Sequence, residues 1–234
     1  MSIISAEQIS FYDQLKESNF NINSGFTTLM GPSGSGKSTC AQLLLGALKI
    51  TSGKIRHFSK DGSEVLTVFP ENTHNLLNKL RLESDQNRRI KKHVIQSYGY
   101  VAQTPELPKD MTVRDYIYNV RTAAGNRLDL SYVEGLLERL GIHKNIDSIA
   151  SAQSGGEQQR TALAFALANR PNFLIADEPN ASLDSVSGKE VLNLTRSLAD
   201  EGMSVLWITH TAEHQEYADH RLIAKDGVIT EEAL

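Results

Sequence analysis

Residues 31–38 restrict the fold of this chain more than any other part of its sequence. They read Gly-Pro-Ser-Gly-Ser-Gly-Lys-Ser and follow an apolar run, residues 25–31, whose pattern predicts a buried strand. The glycines permit a sharp turn in which successive backbone N–H groups converge, and a helix beginning near Lys37 adds the positive end of its dipole. A strand, a glycine-rich turn and a helix in this order predict an α/β fold with a phosphate-binding loop.

This loop supplies the predicted contacts to a nucleoside triphosphate and its metal ion. We expect Lys37 to reach the β- and γ-phosphates of ATP, and the Ser38 hydroxyl to bind Mg²⁺. The Thr39 hydroxyl can add a hydrogen bond to the α-phosphate. The predicted ATP contacts of the loop are Gly31, Pro32, Ser33, Gly34, Ser35, Gly36, Lys37, Ser38 and Thr39.

Two acidic residues follow a second apolar run, residues 173–176, whose composition is typical of a strand covered on both faces. Because the carboxyl ends of such strands meet at the edge where ligands bind, we expect Asp177 to hold Mg²⁺. Glu178 follows it, points the other way, and is the predicted general base for the attacking water.

Three histidines lie in the last part of the chain. His210 follows the apolar run 205–209, and a histidine at the end of a strand in such a protein is a predicted catalytic contact to the γ-phosphate. His214 and His220 have no comparable placement, and we expect them at the surface.

Composition narrows the class of protein. The chain has 234 residues, of which 40% are hydrophobic, and a formal net charge of −4, so no nucleic acid partner is expected. Its single cysteine, Cys40, excludes an internal disulfide and suits a reducing compartment. The sequence shows neither a signal peptide nor an apolar run of membrane-spanning length, so we expect a soluble protein that reaches a membrane through a partner.

Hydrophobic periodicity predicts the remaining elements, which alternate between helices and strands. Helices are predicted at 112–123, 129–140, 156–169 and 185–200, further strands at 54–58, 64–69 and 204–208, and a hairpin at 221–229. Residues 71–96 are polar, with a basic cluster at 88–92. A solvated helix or loop is the preferred interpretation of this stretch, and a docking surface for an acidic partner is the alternative.

The segment Ser-Gly-Gly-Glu-Gln-Gln-Arg at 154–160, which we call the signature segment, resembles the signature motif of ABC ATPases. Residues 178–184 resemble the D-loop of that family, and Gln103 resembles its Q-loop glutamine. These motifs occur in family order across essentially the whole chain. The details are most similar to the lipoprotein-release and macrolide- or peptide-exporter ATPases.

The resemblance implies a P-loop NTPase (ABC ATPase) core with an N-terminal antiparallel β layer and an inserted α-helical subdomain. We expect a single domain, 1–234, with the helical subdomain at about 104–155 and an additional insertion within about 59–92. Three residues depart from the family pattern: Gln153 replaces a leucine, Phe165 an arginine and Thr211 an aspartate.

The resemblance also implies a mechanism in which two cassettes face head to tail and ATP joins them. Gln103 would contact Mg²⁺ and link the site to a partner, Asp184 would connect the two sites, and Tyr12 or, as the alternative, Phe11 would stack on adenine. The signature residues expected to contact ATP are Ser154, Gly155, Gly156 and Glu157.

The implied partners are an integral membrane transporter subunit and a second ABC ATPase subunit, which is identical or a paralogue. The implied location is cytoplasmic, on the inner face of the cell membrane. Two other hypotheses are a soluble ABC ATPase in repair, assembly or translation, and a regulatory module that binds ATP without turnover. Retention of Glu178 and His210 argues against the regulatory module.

Overall fold

The computed structural model describes residues 1–59, 61–70, 88–90, 92–123 and 129–233. The chain forms two compact units. The first unit comprises Met1–Val94 and Ser204–Leu234, and the second comprises Ile95–Met203. The predicted insertion within about 59–92 falls mainly on residues outside the described ranges.

The described parts of the chain contain both strands and helices. In chain order they are β1 (Ser2–Phe11), β2 (Leu15–Asn23), β3 (Phe26–Met30), α1 (Lys37–Leu44), β4 (Ser52–Phe58), β5 (Glu64–Val68), β6 (Tyr98–Val101), α2 (Val113–Ala123), α3 (Leu130–Arg139), α4 (Gly155–Leu167), β7 (Phe173–Asp177), α5 (Ser185–Asp200), β8 (Ser204–Thr209), β9 (His220–Lys225) and β10 (Val228–Glu232). Residues 88–90 and 92–97 are also helical.

An antiparallel sheet of the first unit has the strand order β2-β1-β4-β5. In β2, the buried residues Phe20 and Ile22 alternate with the exposed Asn19 and Asn21, as expected of a sheet with one solvated face. The sequence predicts β4 and β5 but not β1 and β2, because their apolar residues are interrupted by polar ones and by bulges in the β1–β2 register.

The first unit also contains the strands β10-β9-β3-β8 in that order. β3 lies parallel to both β8 and β9, and every residue of β8 is buried, as its apolar composition predicts. The rings of Phe26 and Trp207 pack in this core with their centroids 5.9 Å apart. The hairpin of β9 and β10 turns at Asp226 and Gly227, both with positive φ, as predicted for an Asp-Gly turn.

The second unit pairs β6 with β7 in parallel and packs α4 against β6. The observed helices agree with the predicted ones to within two residues at each end. Asp129 caps α3 by accepting a hydrogen bond from Tyr132 N at 3.2 Å, and Gly141, with φ 67°, follows its end. Phe165 stands at the position where arginine was expected. Its ring packs against that of Tyr116, with the ring centroids 4.3 Å apart.

The prediction that His214 lies at the surface is wrong. The residue is buried in a short 3₁₀ helix after β8, where its ring contacts Trp207 and Thr209. Its surroundings come from residues five and seven positions earlier, so no periodic pattern in the sequence signals its burial. Among the described residues, no helix is both long and apolar enough to cross a bilayer.

Candidate functional site: a phosphate cradle and a signature helix

The phosphate cradle, residues 31–38, lies between β3 and α1 in the first unit, as predicted. Gly34 and Gly36 adopt φ angles of 77° and 96°, which only glycine adopts readily. Gly31 meets a different constraint, because a Cβ there would lie 2.2 Å from the backbone oxygen of Ala224 in β9. A Cβ at Gly36 would lie 2.7 Å from the backbone oxygen of Gln14. Close approach of two backbones therefore shapes the cradle.

The Lys37 side chain turns back into the cradle. Its Nζ donates to the backbone oxygens of Gly31 at 2.8 Å and Pro32 at 2.9 Å, and the residue is buried. The Ser35 hydroxyl is also buried and has no hydrogen-bond partner among the described residues. A held ammonium group and a buried donor without a partner fit an anionic phosphate. The exposed residues of the cradle are Pro32, Ser33, Gly34 and Ser38.

The end of β8 lies at the same edge as the cradle. Met30, the last residue of β3, pairs in parallel with Thr209, the last residue of β8. The cradle and His210 therefore leave the sheet side by side, and His210 is exposed there. Behind it, Trp207 Nε1 donates to His214 Nδ1 at 3.3 Å, and Thr209 Oγ1 lies 2.7 Å from the same nitrogen.

The turn between β1 and β2 approaches the start of α1. Thr39 Oγ1 donates to Gln14 Oε1 at 2.9 Å, so part of the turn lies beside the first helical residues. Tyr12, in this turn, is 75% exposed and has φ 44°, while Phe11 is partly covered and contacts the Tyr12 ring edge-on. The exposure of Tyr12 agrees with the preference for this residue as the adenine contact. The contact itself stays a prediction.

The second unit holds the two carboxylates at the end of β7. Asp177 is only 4% exposed, whereas Glu178 is partly exposed and has φ 45°. Gln103 Nε2 donates to Glu178 Oε2 at 3.1 Å, which joins the predicted Mg²⁺ contact to the predicted general base 75 positions later. Burial, followed by the nearby Asp177 carboxylate, raises the pKa of Tyr100 on β6. The sequence offers no signal for Tyr100 as a neighbour of this site.

Ser154 is the N-cap of α4. Its hydroxyl donates to Glu157 Oε2 at 2.7 Å, and the backbone N–H groups of both residues complete a capping box. Asn145 Nδ2 donates to the other carboxylate oxygen of Glu157 at 2.8 Å. Hydrogen bonds from the Ser154 side chain, the Asn145 side chain and the Ser154 backbone lower the pKa of Glu157 to about 2. Gly155 and the cap stand at the exposed start of the helix.

The D-loop packs beside the signature segment. A Cβ at Gly156 would lie 3.3 Å from Leu183 Cδ2, so this glycine lets the two segments approach. Asp184 is exposed and caps α5, accepting hydrogen bonds from Val186 N and Ser187 N at 3.0 Å each. The role of Asp184 as a helix cap was not part of the sequence prediction, although an aspartate before a predicted helix is a recognisable signal.

The chain matches the family model described as ABC transporter over residues 15–181. The chain belongs to the ABC transporter family. The chain is 34% identical over 213 residues to the macrolide export ATP-binding/permease protein MacB of Syntrophobacter fumaroxidans. This match covers 89% of the chain but only 27% of the MacB protein. It is 35% identical over 225 residues to the lipoprotein-releasing system ATP-binding protein LolD 2 of Rhodospirillum rubrum, covering 91% and 88% of the two chains.

The fold of this ABC cassette is shared with a solved dimeric bacterial ABC transporter cassette, MJ0796. The TM-score is 0.80 at 26% identity, and the match covers 99% of this chain and 98% of that one. The same cassette has also been solved bound to ADP and Pi after hydrolysis. The predicted family and the P-loop ABC ATPase fold are thereby confirmed.

Proposed function

We propose that this chain is the ATP-hydrolysing subunit of a transporter, that it works as a pair of cassettes, and that it powers a separate membrane-spanning partner. The observation that carries the proposal is the hydrogen bond from Gln103 to Glu178, because it couples the predicted general base to the residue predicted to face a partner. The names of MacB and LolD 2, which describe export and lipoprotein release, support transport as the work performed.

The proposed chemistry divides between charge stabilisation and proton transfer. Glu178 accepts a proton from the water that attacks the γ-phosphate, and Gln103 holds its carboxylate by the 3.1 Å hydrogen bond. Lys37 and His210 stabilise the negative charge that develops on the phosphate. Since hydrolysis removes the charge that joins two cassettes, it favours their separation.

The residues proposed to hold Mg²⁺ are Ser38, Gln103 and Asp177. A hydroxyl, an amide and a carboxylate all offer oxygen ligands, which fit a hard cation of this kind. When bound, the ion neutralises charge on the phosphates. We place the pair of cassettes at the inner face of the cell membrane, attached through the partner.

Purification of a tagged chain from detergent-solubilised membranes of its native cell tests this function. We expect a multi-span membrane protein to accompany the chain in stoichiometric yield.

Glu178→Gln should retain that protein and ATP binding but lose most turnover, because an amide cannot accept the proton from water. Lys37→Ala should bind ATP about 10- to 100-fold more weakly, because a charge-assisted contact is lost.

Two outcomes contradict the proposal in different ways. Recovery only from the soluble fraction, with nucleic acid or assembly factors, would indicate a soluble ABC ATPase. Unchanged turnover in Glu178→Gln would remove Glu178 from the role of base while leaving the partner assignment intact.

A further inference from the structure

Gln153, the residue before the signature segment, uses both ends of its side-chain amide. Its Nε2 donates to Ser148 Oγ at 3.0 Å, and its Oε1 accepts from Thr161 Oγ1 at 2.6 Å. Ser148 in turn donates to the backbone oxygen of Asn145 at 2.7 Å. Gln153 therefore ties the loop before α4 to the second turn of that helix.

The hydrogen bonds of Gln153 connect, through Asn145, to the capping box of α4. Asn145, at one end of the chain of bonds, also donates to Glu157, which is hydrogen-bonded to Ser154. Gln158 Nε2 donates to the backbone oxygen of Gln153 at 2.8 Å, so the backbone at this position is held as well. The loop on one side and the helix on the other thus fix the residue directly before Ser154.

A leucine at position 153 could make none of the side-chain bonds. The Thr161 hydroxyl is fully buried, so removal of its acceptor would leave a buried donor without a partner. The loop before Ser154 would also regain conformational freedom, which must be lost again when the segment binds a ligand.

We propose that Gln153 is a positioning residue that holds Ser154 and the start of α4 ready for the ATP bound by a second cassette. This inference rests on the proposed ATP-driven pairing. Preorganisation of the segment lowers the entropic cost of pairing, so Gln153 strengthens ATP-dependent dimerisation without contributing to the binding of ATP by a single chain.

The test measures ATP-dependent dimerisation in the Glu178→Gln background by sedimentation, and binding of a fluorescent ATP analogue at concentrations where the chain is monomeric. Gln153→Leu should weaken dimerisation about tenfold and leave analogue binding within twofold. Gln153→Glu retains the acceptor for Thr161 and loses the donor to Ser148, so its dimerisation should be intermediate.

The double variant Gln153→Leu/Thr161→Val separates positioning from stability. It removes the unpaired hydroxyl, so the melting temperature should recover while dimerisation stays about tenfold weaker. Full recovery of dimerisation with the melting temperature would overturn the positioning role. Failure of Glu178→Gln alone to dimerise with ATP would instead overturn the proposed pairing on which this inference rests.

Discussion

The phosphate cradle of the first unit and the signature segment of the second both place backbone N–H groups at the start of a helix, but they are held in different ways. The cradle has no side-chain cap on α1, and its shape follows from the approach of Ala224 and Gln14 backbone to Gly31 and Gly36. The signature segment is held by side chains, through the capping box at Ser154 and the bonds of Gln153.

Because the two sites are held in different ways, substitutions and changes of pH should affect them differently. Close backbone contact leaves no room for an added methyl group at Gly31 or Gly36 of the cradle, so a substitution at either position acts through steric overlap. A segment built by side-chain hydrogen bonds loses them one at a time, and its ionisable members respond to pH. Substitutions and changes of pH should therefore separate the two sites, with effects that range from large to small.

Alanine substitutions provide the strongest contrast. Gly31→Ala places a methyl group 2.2 Å from Ala224 O, so we expect a loss of about 1–3 kcal/mol of folding stability and the loss of tight ATP binding. Gly155→Ala meets no atom within 4 Å at the first position of α4, and alanine favours helix, so stability should be unchanged or slightly higher.

Thermal unfolding of the two purified variants measures this contrast, and titration with a fluorescent ATP analogue adds the binding of Gly31→Ala. Equal melting temperatures for Gly31→Ala and Gly155→Ala would contradict the view that backbone approach shapes the cradle.

Local signals explain which parts of the fold could be predicted. The cradle, the strand before Asp177 and helix 185–200 are each encoded in consecutive residues, by glycine spacing, an apolar run or helical periodicity. The observed bounds of the helix, Ser185–Asp200, coincide with the predicted ones. The same holds for the turn at Asp226, whose dipeptide specifies its conformation.

Contacts between distant positions explain what could not be predicted. Ala224 meets Gly31 from a strand that is 193 positions later, and Gln103 meets Glu178 across 75 positions. The bonds of Gln153 were also missed, although they are local, because the polar residue departs from the family leucine and only the folded loop supplies its partners.

The cradle side should respond to mild acid through His214. Burial lowers the pKa of His214, Glu213 opposes this effect, and His210 adds to it. A folded state with a lowered histidine pKa is stabilised above the ordinary value of 6.5, and this contribution is lost as pH falls below that value. The slope of the unfolding free energy against pH should not exceed about 1.4 kcal/mol per pH unit, because a single proton is bound.

Trp207 reports this titration directly, because it is the only tryptophan in the sequence and donates to His214. Its fluorescence should change as the pH falls below the ordinary histidine value of 6.5, and His214→Gln, which cannot titrate there, should flatten the curve. An identical curve in the variant would show that another group controls the change.

The stability contributed by the signature segment should change only in stronger acid, and by less than the stability contributed by His214. Glu157 has a folded pKa of about 2 against an ordinary 4.5, so its contribution to stability is complete above about pH 4.5 and is lost as pH falls towards 2. Glu157→Gln can keep a capping box but carries no charge, so at neutral pH its melting temperature should be about 1–3 °C below that of the wild type. The effect is small because solvent screens this partly exposed carboxylate.

The difference in melting temperature between the two proteins should stay constant from about pH 7 to about pH 5 and shrink below about pH 4.5, where Glu157 begins to protonate in the unfolded chain. A difference that already shrinks near pH 6.5 would place His214, not Glu157, in control of the signature segment, and the separation between the two sites would fail.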